Sequence, residues 1–282
     1  MTNHDTLFLE ALKASLTNTT VTWTTPLSSE EWQSIFDLAE SHKVLPLIFH
    51  AVYSCPAASS LDAGLFAAMK RRTLTLTLNQ VQRTAEFLKL YEKLAEEGIT
   101  PLIIKGLICR ELYPKPDLRI SSDEDILVPD EEFEKAIEIL KSCGMKVKGE
   151  LTEGTSEAAL ISEKGSSYIE LHRQLFTEDS KAYGELNAYF ADCFDSKVSL
   201  NVQGTTVYTM EPGLHLFYLF CHAFKHFLHS GFGIRQVSDM IMFANAYGKY
   251  IDWATVLKNC KEIHADKFAV AIFTIGEKYL GF

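Results

Sequence analysis

Three short apolar runs, each carrying charged or polar side chains at one end, constrain the fold of this chain most. They are Leu102-Ile103-Ile104-Lys105-Gly106, Asp123-Glu124-Asp125-Ile126-Leu127-Val128 and Tyr168-Ile169-Glu170-Leu171-His172. Each reads as a strand that runs into a core and leaves its polar end at the mouth. Asp123 and Asp125 lie two residues apart, so on a strand they project from one face, with Glu124 on the other. Two carboxylates side by side repel unless a cation lies between them or one takes up a proton. Glu170, on a separate predicted strand, is placed to complete an oxygen-only set of Asp123, Asp125 and Glu170. Such a set suits Mg²⁺ or Mn²⁺, hard cations usually shared between carboxylates and substrate phosphates. Lys105 and Gly106 put a cation and a permissive backbone where the first strand turns into a helix, a place suited to holding phosphate. Together these pieces point to metal-dependent phosphoryl chemistry on a nucleotide.

The rest of the pattern predicts an α+β fold in which a small mixed sheet is flanked by helical segments. Ser28-Ser29-Glu30-Glu31 has the form of a helix cap with acidic residues in the first turn. A second apolar stretch runs from Val44 to Val52, and a long helix is expected over 66–97. The helix has its apolar positions at Leu74, Leu78, Val81, Ala85, Leu88 and Ala95, and Gly98 as its stop. Strands are expected at 101–105, 125–128, 145–151, 158–162 and 167–172, with helices over 107–113 and 130–143. Val198–Val202 and Thr205–Met210 flank Gln203-Gly204 as a hairpin. From Pro212 onward the chain reads as helix, in stretches 212–229, 234–247, 252–263 and 265–280. This suggests an N-terminal helical segment over 1–98, an α+β core over 99–210 and a C-terminal helical segment over 211–282.

Several residues have two readings. Lys105 follows three apolar residues, and an unpaired buried lysine is costly, so it should meet either a phosphate or one of the aspartates. Arg119 either grips phosphate through its planar fork or ties the proline-rich loop to Asp117 or Asp123. Glu170 is a metal ligand, a general base or a solvent-facing edge residue. His172 either touches substrate or is structural. His222, His226 and His229 share one helical face, but without the glutamate of a zinc-protease motif they read as a polar seam. Lys225 on the same helix is placed to reach nucleotide phosphates, and Asp239 to pair with Arg235. The charge balance of 27 basic against 37 acidic residues, a formal −10, argues against broad binding to a long nucleic acid. Six scattered cysteines, no basic leader and no long apolar run fit reduced thiols in a cytoplasmic protein without a membrane span.

In sequence order the motifs are Lys105-Gly106, Leu112-Tyr113-Pro114, Arg119, Ser122-Asp123-Glu124-Asp125-Ile126-Leu127-Val128 and Glu170-Leu171-His172. A helix with His222, Lys225 and His226 follows, before Arg235 and Asp239. This series resembles a bacterial family of largely uncharacterised nucleotidyltransferases within the DNA polymerase beta-like nucleotidyltransferase superfamily, from about residue 30 to the C-terminus. The Gly-Ser that most of the superfamily carries before its carboxylates is replaced here by Lys105-Gly106-Leu107. The resemblance implies a nucleotidyltransferase using two divalent cations held by Asp123, Asp125 and Glu170. Lys105, Gly106, Arg119 and Lys225 would lie on the phosphates of a nucleoside triphosphate, expected to be ATP. The acceptor would be a small molecule or a protein side chain. Two other functions fit the same motifs: a nucleotide-binding or interaction module that has lost turnover, and a phosphotransferase moving the γ-phosphate.

Overall fold

The computed structural model describes residues 2–152, 154–163, 167–178, 180, 182–229 and 231–282. Helix α1 (Asn3–Leu16) begins at Thr2 and α2 (Ser29–Ser41) at Ser28. In both, the cap hydroxyl accepts from the backbone three residues on, where an acidic side chain returns the bond. Helix α3 (Leu45–Val52) has a proline in its first turn and is buried along almost all of its length. Helix α4 (Ala63–Glu96) is the longest and ends where Gly98 takes φ +84 and Ile99 donates back to the Leu94 carbonyl.

The strands follow. They are β1 (Leu102–Ile103), β2 (Glu124–Leu127), β3 (Met145–Val147), β4 (Glu157–Ser162), β5 (Tyr168–His172), β6 (Val198–Val202) and β7 (Thr205–Thr209). A single helical turn, α5 (Leu107–Arg110), follows β1, and α6 (Phe133–Ser142) lies between β2 and β3. Gln203 and Gly204 both take positive φ, 52° and 95°, which closes the β6–β7 hairpin with the backbone twist that two-residue hairpins favour. The C-terminal helices are α7 (Pro212–His229), α8 (Ile234–Tyr247), α9 (Trp253–Glu262) and α10 (Asp266–Ile275), the last running on through a wider turn to Leu280. Among the described residues no helix is long and apolar enough to cross a membrane.

The chain forms two compact units. One is helical and is drawn from Met1–Gln80, Cys109–Ile120 and Leu216–Phe282; the other, Val81–Ile108 with Ser121–His215, holds the sheet. The sheet is seven-stranded and mixed, in the order β3-β4-β5-β2-β1-β7-β6. Two of its pairings are parallel, β2 with β5 and β1 with β7, and the others are antiparallel. Its core gathers Ile103, Ile126, Leu160, Leu171 and Val207, all fully buried. The second half of α4 belongs to this unit. The hydroxyl of Tyr91 donates to the Pro101 carbonyl and accepts from the Tyr208 amide, pinning the helix to β7 and to the entry of β1.

The expected phase of α4 is corrected by the structure. Leu74 and Leu78 are 52% and 67% exposed, and Val81 also faces outward. The buried positions are Thr73, Gln80, Thr84, Phe87, Leu88, Tyr91 and Leu94. The inward face of the first half of the helix carries polar residues, so apolar periodicity alone selects the wrong side.

Candidate active site

The parallel pairing of β2 with β5 sets Asp125 opposite Glu170 and Leu127 opposite His172. Because alternate residues share a face, Asp125, Glu170 and His172 project together from the same side of the sheet. One ligand atom from each of the three lies within 4.8 Å of the other two. Asp125 is only 1% exposed and His172 6%, while Glu170 is half-buried. Lys105 Nζ lies 2.7 Å from Asp125 Oδ1, and His172 Nε2 lies 3.7 Å from the same oxygen. Asp125 Oδ1 is thus held by the lysine ion pair, while His172 Nε2 is a buried atom with no hydrogen-bond partner among the described residues.

The electrostatics follow from this crowding. Burial raises the proton affinity of Asp125, but the Lys105 ammonium and the contact with His172 outweigh it and hold the carboxyl well below the usual range. Glu170 goes the other way. Burial and the neighbouring Asp125 charge push it up to about 8, with Asp123 adding to the repulsion and Lys105 offsetting part of it. The pair thus divides one role between two carboxyls, one ionised and one holding a proton near neutral pH.

Asp123 stands just before β2 and is half-buried; it is not one of the three clustered residues, although its charge reaches Glu170 and Tyr168. Of the expected oxygen-only set Asp123, Asp125 and Glu170, the cluster in this unit holds Asp125 and Glu170; its third member is the imidazole of His172, and Asp123 stands at the mouth of the strand. Gly106 takes φ +54, and a Cβ there would run into Glu124 Oε2. That oxygen accepts the Leu107 amide at 2.7 Å, while the Ser121 hydroxyl approaches Oε1 at 3.4 Å. Glu124 has no role in the sequence reading beyond facing away from the aspartates. The available signal is that a strand residue opposite Asp125 must face the core, where a carboxylate stays only if a donor such as a turn amide meets it.

Two further candidates belong to the helical unit. Arg119 is buried, with Nη2 and Nε donating to Asp239 at 2.6 and 3.1 Å, and the Tyr113 hydroxyl donates to the same carboxylate at 2.8 Å. Burial alone would lower the affinity of Arg119 for its proton; the Asp239 charge and hydrogen bonds more than reverse this. Arg119 Nη1 is buried without a partner among the described residues. Arg235, the partner expected for Asp239, donates to the Ile120 carbonyl. Lys225 lies on α7 and is half-buried, on the helix where the His222 and His226 rings stand 4.6 Å apart.

The family model for uncharacterised nucleotidyltransferases matches residues 28–281. Among solved structures the chain is similar to the antibiotic-resistance factor ANT(2'')-Ia, at 13% identity, covering 70% of this chain and 99% of that one with a TM-score of 0.46. It is also similar to an antigenic nucleotidyltransferase-like protein from Paracoccidioides brasiliensis, at 15% identity, 69% and 91% coverage and a TM-score of 0.42. No curated protein matches. The matched stretch contains the Lys105–Gly106 turn and both strands that bring Asp125 beside Glu170, and on that match the chain belongs to the uncharacterised nucleotidyltransferase family.

Proposed function

We propose that this protein transfers a nucleoside monophosphate from a triphosphate, ATP in the first instance, to a small-molecule or protein acceptor, with a divalent cation at Asp125 and Glu170. The supporting observation is the buried Asp125 carboxylate, whose Oδ1 stands among the Lys105 ammonium, a second carboxylate and an imidazole nitrogen. A buried carboxylate pair beside an imidazole fits a divalent cation, and Asp123 adds charge at the strand mouth. When bound, such a cation supplies charge neutralisation to triphosphate oxygens and to the oxygens that attack and leave.

The chain's own groups do the rest. Lys105, fixed near the carboxylates by the turn at Gly106, presents an ammonium to the β- and γ-phosphates. The Leu107 amide is held by Glu124, so phosphate binding falls to the lysine rather than to the start of α5. Arg119, its guanidinium held by Asp239, and Lys225 have no assigned part in it. The acceptor oxygen bonds to the α-phosphorus as the bond to pyrophosphate breaks. The acceptor proton passes to solvent or to a carboxylate that the cation leaves free.

Incubation with Mg²⁺ or Mn²⁺, an acceptor panel and ATP labelled separately at the α and γ positions tests this. Acceptor labelled from the α position, lost in Asp125→Asn, is the expected outcome. Label from the γ position alone would make the protein a phosphotransferase. The Lys105–Asp125 ion pair favours a second reading, a binding module whose lysine stands where a cation would act. Retained ATP binding with neither label moved would establish that reading instead.

A further inference from the structure

His172 offers chemistry that an oxygen-only cation site lacks. Its ring is buried, and Nε2 is aimed at Asp125 Oδ1 from 3.7 Å, too far for a hydrogen bond. Asp125 Oδ1 is already ion-paired with Lys105, but Nε2 has no hydrogen-bond partner among the described residues and leaves buried polar capacity unused. On the opposite edge of the ring, Nδ1 lies 3.5 Å from Glu157 Oε2. Glu157 reaches that position because the antiparallel pairing of β4 with β5 sets it directly opposite His172. With a cation among the carboxylates, the carboxylate beside Nδ1 would take the imidazole proton on that side and free the Nε2 lone pair for the cluster. This arrangement, carboxylate to imidazole to metal, is how ligating histidines are commonly oriented. Charge also favours it. A cation among Asp125, Glu170 and His172 would neutralise the two carboxylates without requiring the imidazole to carry a proton.

We infer that His172 is a nitrogen ligand and Glu157 its positioning residue, so that the site takes a first-row transition cation in preference to Mg²⁺. This rests on the cation-binding reading of Asp125 and Glu170 given above. Imidazole suits borderline transition cations better than the hard, strongly hydrated Mg²⁺, so one nitrogen in the donor set shifts selectivity without changing the shape of the pocket.

Electron paramagnetic resonance of the full chain loaded with one equivalent of Mn²⁺ tests this without any acceptor. The expected spectrum shows nitrogen hyperfine coupling from a directly bound imidazole. Asp125→Asn should release the Mn²⁺, which ties the signal to this cluster. His172→Gln should abolish the coupling and lower Mn²⁺ affinity about tenfold or more while leaving Mg²⁺ affinity nearly unchanged. Glu157→Gln, at a half-exposed position that carries little risk to folding, should keep the coupling and weaken Mn²⁺ binding up to about tenfold. Mn²⁺ that binds and depends on Asp125 but shows no nitrogen coupling would overturn the assignment of His172 and leave the cation site intact. Coupling that survives in a folded His172→Gln variant would overturn it equally. Failure to bind Mn²⁺ at all would remove the cation site itself, and this inference with it.

Discussion

Glu170 is the residue whose behaviour is most sharply set by its neighbours. With its proton affinity raised to about 8 by burial and by Asp125, the metal-free site holds a proton that a cation must expel. Affinity for Mg²⁺ or Mn²⁺ should therefore rise by about tenfold per pH unit below 8 and level off above it. For stability, a carboxyl raised above its ordinary value favours the fold while protonated. Its contribution is thus complete below the unfolded value and is lost as the pH climbs through 8. Calorimetric titration with Mn²⁺ between pH 6 and 9 checks the binding profile, and Glu170→Gln should flatten it. A wild-type profile already flat across that range would mean that Glu170 is ionised in the free protein. The strand that carries Asp125 into the core is legible in the sequence from its apolar run. The entry of His172 into the cluster is not, because it depends on which strand lies beside β2 and in what register. Arg119 shows the same limit: its partner, Asp239, lies far along the chain, and no local pattern links them.

Among the elements, the turn from β1 into α5 carries the most tightly specified backbone. Gly106 sits in the left-handed region with Glu124 packed where a side chain would begin. Gly106→Ala should destabilise the protein by about 1 kcal/mol from backbone conformation, with a further loss from the collision with Glu124. Glu124→Ala should cost about 1–3 kcal/mol by stranding the Leu107 amide. The double variant should be less damaged than the sum, since the collision is gone, leaving a coupling of about 1 kcal/mol. Urea unfolding of the four proteins measures this, and strict additivity would show that the two residues do not meet. The helix cap at Ser28 and the helix stop at Gly98 are legible because their signals are local. The burial phase of α4 is not: the buried face of its first half carries Thr73 and Gln80, and only the tertiary context that covers them can say so.

At the level of the whole molecule, net charge points away from a long polyanionic partner. A chain at −10 repels a polyanion, and the buried Arg119 is already paired with a carboxylate. Binding to single- or double-stranded DNA or RNA should be undetectable at physiological salt in a fluorescence-anisotropy titration, while triphosphate binding persists. Tight, salt-dependent binding to a long polynucleotide would contradict this and change the acceptor sought. The α+β class is legible because the hydrophobic period shifts along the chain. The division into two units is not, because one of them collects three separate stretches of sequence.

The parallel pairing of β2 with β5 has a further consequence. The segments that carry Asp125 and Glu170 are separated in the chain by α6, β3 and β4, so no fragment shorter than that span contains both halves of the cluster. Such long-range pairings form late and slowly compared with local helices. Cation capture then works as a gauge of assembly: a refolding chain should gain its helical signal first and its Mn²⁺ affinity only when the central strands have closed on each other.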